Sequence, residues 1–334
     1  MEIVSRFPLC AVELPFGVTK NGIIMGILRK TLLYDNEISV SLLETTDIVN
    51  EAIAIHGLSP LAAAGLGRTM TACAFMASCM KGEDDRLSVT IDGDGAGGRI
   101  VVAADAALHI RGCIDHPEAT LPPRADGKLN VGGLVGKGRM TVVKNIGLKE
   151  PYVGRCELVS GEIAEDFAAY YAISEQQPTG MALGVRIGTD GKCLGAGGLV
   201  LQPLPGCREE SIAGAEALLA QFKDISSMVE KGGLEGIWKD FFAGNAYEDR
   251  YPVYRCNCSR DYIDGVLVTL GEKELRDSLA QEGKIEVCCQ FCNRKYVYTE
   301  EDVNRLLAEG SFPKGESGGD NDPEDDKTDG ANEE

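Results

Sequence analysis

The chain has 334 residues, 44% of them hydrophobic and 25% charged, which supports one large or two ordinary domains with a real core and excludes a disulfide-stapled miniprotein. Its 52 acidic and 33 basic side chains give a formal charge of −19, so nucleic acid and anionic membranes, which require a positive face, are not expected partners. The N-terminus, Met-Glu-Ile-Val-Ser-Arg-Phe-Pro, lacks the basic start and apolar run of a signal peptide, and a cytoplasmic location is expected. In chain order, Ile38–Leu42, Leu87–Ile91, Arg99–Ala103 and Met140–Val143 are β-branched, partly alternating runs that predict strands. Between the first two, Thr46 can cap a helix carrying Ile48, Val49, Ala52, Ile53 and His56. Ser59-Pro60 then opens a second helix rich in Ala, Gly and Cys, whose small side chains permit close packing. The stretch Pro60–Met80 carries Arg68 as well as Gly65 and Gly67, so it reads as a buried helix and not a membrane span. Gly-rich turns such as Asp92–Gly98 separate strand pairs and predict antiparallel hairpins, hence an α+β core with an antiparallel-rich sheet and packed helices over residues 1–204.

Beyond Pro203, Pro205 and Gly206 the pattern changes. Ile212, Ala215, Leu218, Leu219, Phe222, Ile225 and Val229 recur at three- and four-residue spacing and predict one amphipathic helix that Gly232-Gly233 stops. A short second helix carries Leu234, Ile237, Trp238, Phe241 and Phe242 on one stripe. This helical linker, 205–248, buries its stripe against a neighbouring domain or uncovers it to bind something apolar. Leu218, Leu219, Phe222, Trp238, Phe241 and Phe242 are the candidate binding residues in the second case.

Seven of the 12 cysteines (Cys10, Cys73, Cys79, Cys113, Cys156, Cys193, Cys207) stand singly among apolar neighbours and read as small buried hydrophobes. The other five lie in a module at 249–312. Cys256-Asn-Cys258 and Cys289-Gln-Phe-Cys292 are two close thiol pairs separated by 30 residues, and such pairs each supply two vertices of a tetrahedral four-cysteine zinc site. The intervening Leu267–Leu279 is expected to form a strand end and a helix, too little to hold a core without metal. Cys256-x-Cys258 is tighter than an ordinary zinc knuckle and permits a disulfide between i and i+2, with Cys289–Cys292 as the other bridge, so oxidation could remove all four ligands. Cys288 is read as a bystander. Residues 314–334 hold nine carboxylates and two lysines, and 313–334 is expected to be a disordered acidic tail.

Other chemistries fit less well. Gly93-x-Gly-x-x-Gly98 is followed by a strand pattern, where a phosphate loop must open a helix. His56, His109 and His116 have no nucleophile elbow near them, and no enzyme activity is expected. A thiol-disulfide oxidoreductase and a structural zinc-ribbon adaptor stay as alternatives, distinguished by whether peroxide displaces the metal.

The sequence resembles the redox-regulated 33-kDa heat-shock chaperonins over roughly residues 40 to 300. The likeness runs through Thr45–Ala52 to His56-Gly-Leu-Ser-Pro60, Gly65-Leu-Gly-Arg68 and Gly93–Gly98 with Ala104-Asp105 and Arg111–Ile114. It continues through Val135–Gly138 with Lys144, Gly161–Phe167, Tyr170-Tyr171 and Ser174-Glu-Gln176, then Gly197-Gly198 to Gln202–Gly206, and ends in the C-x-C and C-x-x-C pairs. The resemblance implies an ATP-independent holdase whose linker is metastable and whose zinc module is a redox switch. It implies one Zn2+ on Cys256, Cys258, Cys289 and Cys292 in the reduced state. On oxidation it implies disulfides Cys256–Cys258 and Cys289–Cys292, dimerisation and capture of unfolding proteins. The stretch before about Lys20, Cys288 and the tail after Phe312 depart from the family pattern.

Overall fold

The computed structural model describes residues 19–20 and 23–309. Cys10, the rest of the N-terminal extension and the acidic tail lie outside them. The chain divides into two units, one of residues up to Asn257 together with Cys289–Asn293, the other of Cys258–Cys288 with the residues from Arg294 on.

The first unit begins with the strands β1 (Thr19–Lys20), β2 (Ile23–Ile24), β3 (Ile27–Leu33) and β4 (Ile38–Glu44), then the helices α1 (Thr46–His56) and α2 (Pro60–Ser78). Next come β5 (Arg86–Gly93), β6 (Ile100–Asp105), β7 (His109–Ile114), α3 (Val131–Val135), β8 (Gly138–Asn145), β9 (Tyr152–Glu157) and α4 (Ala164–Ser174). They are followed by β10 (Gly180–Ile187), β11 (Cys193–Pro203), α5 (Glu209–Ala220), α6 (Ile225–Phe241), β12 (Glu248–Arg250) and β13 (Val253–Tyr254). A five-stranded antiparallel sheet has the order β10-β11-β4-β3-β12. A six-stranded sheet has the order β13-β7-β6-β5-β8-β9, in which only the short β13 runs parallel to its neighbour.

Helix α2 is the centre of the main core. Ser59 Oγ accepts the Ala62 N–H as N-cap, Pro60 opens the helix, and every residue from Leu61 to Ser78 except Arg68 is buried. Arg68 is held by Glu162 at 2.9 Å. A side chain at Gly67 would press on Val49 and Val185 at 2.9 and 3.0 Å, so the small residues are what let the helix seat this closely. No described helix is long and apolar enough to cross a membrane.

A second apolar cluster occupies the other face of the five-stranded sheet. Along β4 and β11, Leu43, Ala196 and Val200 belong to the main core, while Ile38, Val40, Leu42, Leu199 and Leu201 join Leu218, Phe222, Ile225, Val229, Leu234, Ile237, Trp238 and Phe242 of the linker. The alternation of strand side chains divides the two sets. Helix boundaries differ from the periodicity. The chain breaks after Ala220 at Gln221–Asp224, which the apolar period does not mark, while at Gly233, whose φ of 59° and ψ of −171° are non-helical, α6 is interrupted where Gly232-Gly233 is expected to stop the first helix and a short second one to follow. The apolar spacing is the same on both sides of the break, so periodicity could not locate it.

The Gly93–Gly98 turn joins β5 to β6, and its amides are already used: Gly95 N donates to Val135 O at 2.9 Å and Gly97 N to Leu134 O at 2.8 Å. Both donors that a phosphate would need are spent on backbone carbonyls, and a strand follows, so the hairpin reading of the glycines holds.

The second unit contains α7 (Arg260–Leu270), α8 (Glu272–Glu282), β14 (Ile285–Cys288), β15 (Lys295–Tyr298) and α9 (Glu300–Glu309). Residues 267–270, expected as a strand end, close α7 instead. Ser59-like capping recurs here, with Ser259 Oγ accepting from Tyr262 N, and Ile263 and Leu267 form the buried face of α7. β14 and β15 make a two-stranded antiparallel ribbon.

Candidate metal centre

The four thiols at Cys256, Cys258, Cys289 and Cys292 converge, with all their sulfurs within 4.8 Å of one another. Cys256 Sγ and Cys289 Sγ are 3.7 Å apart. A tetrahedral zinc–thiolate site with bonds of about 2.3 Å has sulfur–sulfur edges of about 3.8 Å, so the donor set and its spacing fit such an ion. Among the described residues this is the group of side chains able to hold a metal.

Local structure supplies each position. After β13, Arg255 N donates to Ile110 O at 2.9 Å, which fixes the chain just before Cys256. Cys289–Asn293 is a tight turn, with Asn293 N donating to Cys289 O at 2.9 Å and Asn293 itself left-handed at φ 55°. Within the first unit this turn has its own seat. The Tyr254 hydroxyl donates to Phe291 O at 2.5 Å and has Gly112 O at 3.1 Å and His56 Nε2 at 3.3 Å, Asn293 Nδ2 donates to Ile55 O at 2.6 Å, and Arg111 stacks on Phe291 at 5.5 Å. In the second unit the Tyr296 hydroxyl donates to Cys258 Sγ at 3.2 Å, a hydrogen bond that raises the tyrosine's pKa and orients the sulfur.

The remaining cysteines are placed differently. Cys288 is exposed at the end of β14, opposite Lys295, and is not one of the four. Cys73, Cys156 and Cys193 are buried, Cys113 and Cys207 are partly covered, and Cys79 is exposed, so the small-hydrophobe reading fails for Cys79, which ends α2 at the surface. Burial first, and then the charges of Asp115 and Cys289, push the Cys113 thiol up to about 11, which keeps it protonated near neutrality.

The six candidate binding residues of the linker lie together and are covered. Phe222 packs on Phe241 and Phe242 with ring centroids 4.9 and 6.2 Å apart, and Trp238 packs on Phe242 at 5.3 Å. Leu218, Phe222, Trp238 and Phe242 are buried, while Leu219 and Phe241 are half-buried at the margin. Sequence periodicity did not find what they cover, the Ile38, Val40, Leu42, Leu199 and Leu201 face. Nor did it find Arg29, buried at 3% exposure in β3 beside Trp238. The signal for the sheet face is present as alternation in β4, but it does not say which partner fills it.

These features define an α+β protein with a C-terminal group of four cysteines that could hold a metal ion. The model of the Hsp33 protein family matches residues 27–299. Curated relatives named 33 kDa chaperonin include one from Ruminiclostridium cellulolyticum, 40% identical over 270 residues, covering 79% of this chain and 92% of the relative. Another, from Desulforamulus reducens, is 41% identical over 284 residues, covering 84% and 96%. The crystal structure of a 33 kDa chaperonin from Thermotoga maritima, a heat shock protein 33 homologue, superposes with a TM-score of 0.77 at 33% identity, covering 84% of this chain and 97% of that one. The chain belongs to the Hsp33 family of chaperones.

Proposed function

We propose that this protein is a redox-regulated, ATP-independent holdase that binds unfolding proteins under oxidative stress in the cytoplasm, and that it is not an enzyme. The observation that carries the reading is the convergence of four thiols, all within 4.8 Å of one another and two of them 3.7 Å apart, at the end of a chain segment that also carries the linker. One Zn2+ held by Cys256, Cys258, Cys289 and Cys292 would keep the thiolates paired and supply folding free energy to a module with little core of its own.

Oxidation by peroxide balances as two thiols and one peroxide giving one disulfide and two waters, so two peroxides convert all four ligands. Because all four sulfurs lie within 4.8 Å of one another, proximity alone does not select a pairing. Chain connectivity does: once the module loosens, the shortest loops close most readily, which favours Cys256–Cys258 and Cys289–Cys292. Loss of the ligands would free residues 249–256, the strap that follows the linker. The linker stripe and the sheet face beneath it then become available to apolar segments of clients, with Leu218, Leu219, Phe222, Trp238, Phe241 and Phe242 on one side and Ile38, Val40, Leu42, Leu199 and Leu201 on the other. Two opened copies sharing such faces would associate as a homodimer. Residues 1–204, 205–248 and 249–312 would serve as chaperone core, linker and switch, followed by the acidic tail at 313–334.

The test measures zinc release, thiol count and suppression of client aggregation together, before and after mild oxidation without ATP. Zinc lost in step with a gain of activity is expected. Zinc retained under peroxide would make the site a structural ribbon, and activity in the reduced protein would remove the switch.

A further inference from the structure

The covering segment of the first unit is fastened by charge as well as by apolar contact. Arg29 lies in the middle of β3 with its side chain 3% exposed. Its Nε and one terminal nitrogen donate to the two oxygens of Asp249, both at 2.7 Å, and its terminal nitrogens donate to the two oxygens of Glu235 at 3.1 and 2.7 Å. The guanidinium carbon is 3.8 Å from the Tyr247 ring centroid and 5.0 Å from that of Trp238. Burial by itself lowers the pKa of this group; the hydrogen bonds to Asp249 and Glu235 outweigh it, so the pKa is raised and the cation persists.

All four partners come from the covering segment, Glu235 and Trp238 from α6, Tyr247 and Asp249 from the approach to β12 and the strand itself, while Arg29 belongs to the sheet. Asp249 stands directly opposite Arg29 in the β3/β12 register. From there the chain runs to the ligand Cys256 without slack. Gly26 N donates to Pro252 O at 2.8 Å, Val253 N to Leu108 O at 3.0 Å and Arg255 N to Ile110 O at 2.9 Å.

We propose that Arg29 is the latch of the linker: its fork and its two aromatic contacts hold α6 and β12 on the sheet, and their separation from Arg29 is the step that uncovers the apolar face. A buried guanidinium stripped of its carboxylates is costly, so the contacts break as a set and the segment leaves as a set. Loosening at Cys256 reaches the latch through the strap, whose hydrogen bonds fail in order towards Asp249. The link from opening to activity rests on the holdase reading; the latch itself does not.

The test uses the full-length, zinc-loaded, reduced protein. The variants are Arg29→Met, which removes the charge at similar length, Arg29→Lys, which keeps the charge without the fork, and the linker-side pair Glu235→Gln with Asp249→Asn. Zinc content, thiol count, Trp238 emission, proteolysis within 206–250 and client aggregation are followed together. Arg29→Met is expected to raise the open-to-closed ratio roughly a hundredfold or more, seen as faster cleavage and a red-shifted Trp238 with zinc still bound. Arg29→Lys should fall between it and the unaltered protein, and the linker-side pair should move in the same direction as Arg29→Met. Unchanged cleavage and emission in Arg29→Met overturn the latch. If that variant loses the cooperative melt of the first unit, the linker-side pair decides by the same readouts, since Glu235 is 70% exposed and Arg29 stays in place. A linker that opens without suppressing aggregation leaves the latch standing and removes the holdase assignment instead.

Discussion

Helices α2 and α6 pack on opposite faces of the same five-stranded sheet, and both contain glycines, but the glycines mean different things. In α2, a Cβ at Gly65 or Gly67 would meet Leu134 at 2.6 Å or Val49 at 2.9 Å, so the missing side chains are filled by neighbours. In α6, a Cβ at Gly232 or Gly236 would meet nothing within 4 Å. There each glycine costs helix stability of about 1 kcal/mol relative to alanine with no packing gained in return. α2 is buried on all sides, whereas α6 is kinked at Gly233 and held along one face by an apolar stripe, by Arg29, and by Glu44, whose carboxylate accepts the Leu234 N–H at 2.7 Å. One helix is fixed by packing on every side and the other along one face only. The difference lies in what surrounds the residues more than in their composition.

The comparison breaks most visibly at Gly67. Gly67→Val should destabilise the first unit by about 3 kcal/mol or more through overpacking against Val49 and Val185, read as a large fall in its thermal midpoint, and an unchanged midpoint would refute close packing as the reason for glycine there. At the linker, Phe222→Ala empties a fully buried site between Phe241, Phe242 and the sheet. It should cost about 3 kcal/mol locally, appearing as increased binding of an apolar dye by the reduced protein while the α2 core melts as before.

Gly232→Ala with Gly236→Ala should act in the opposite direction, stabilising the closed linker by about 1 kcal/mol per site. Zinc release and disulfide formation should be unaltered, and the onset of client binding should need higher temperature after oxidation. Activity that appears as early as in the unaltered protein would show that helix stability does not set the threshold.

The smallest expected effect is on pH. Glu44 has its pKa raised, first by burial and also by the charges of Asp47 and Glu235, against the lowering by the Leu234 amide; burial raises Asp47 as well. A carboxyl whose pKa is higher in the closed form binds more protons there. Its protonation therefore favours closure, and that contribution is lost as pH rises from the ordinary glutamate range through the raised value. Glu44→Gln should flatten the pH dependence of linker opening over that window. A dependence that survives the substitution would place the titrating group elsewhere, with Asp47 the next to change.

Much of the candidate site was legible because it is local. Two thiol pairs at C-x-C and C-x-x-C spacing specify a four-sulfur cage almost independently of the rest of the fold, and Ser59-Pro60 or Ser259 mark helix starts through contacts three residues away. The strand pair joined by Gly93–Gly98 was legible for the same reason. The break at Gln221–Asp224 was not, because an apolar period continues through it, and the α7–α8 pair was misread at residues 267–270 because short apolar runs suit a strand or a helix equally.

The sequence by itself determined the alternation of elements, the apolar stripe of the linker and the residues of the candidate metal centre, since periodicity and spacing are properties of neighbouring residues. Only the tertiary structure decided what the stripe covers and what holds it. Arg29 meets Asp249 from 220 positions away and Glu235 from 206, and Leu42 and Leu199 meet the linker through strands that pair across the length of the chain. A periodic pattern states which side of an element seeks burial. The identity of the surface that buries it depends on which distant strands the sheet brings together.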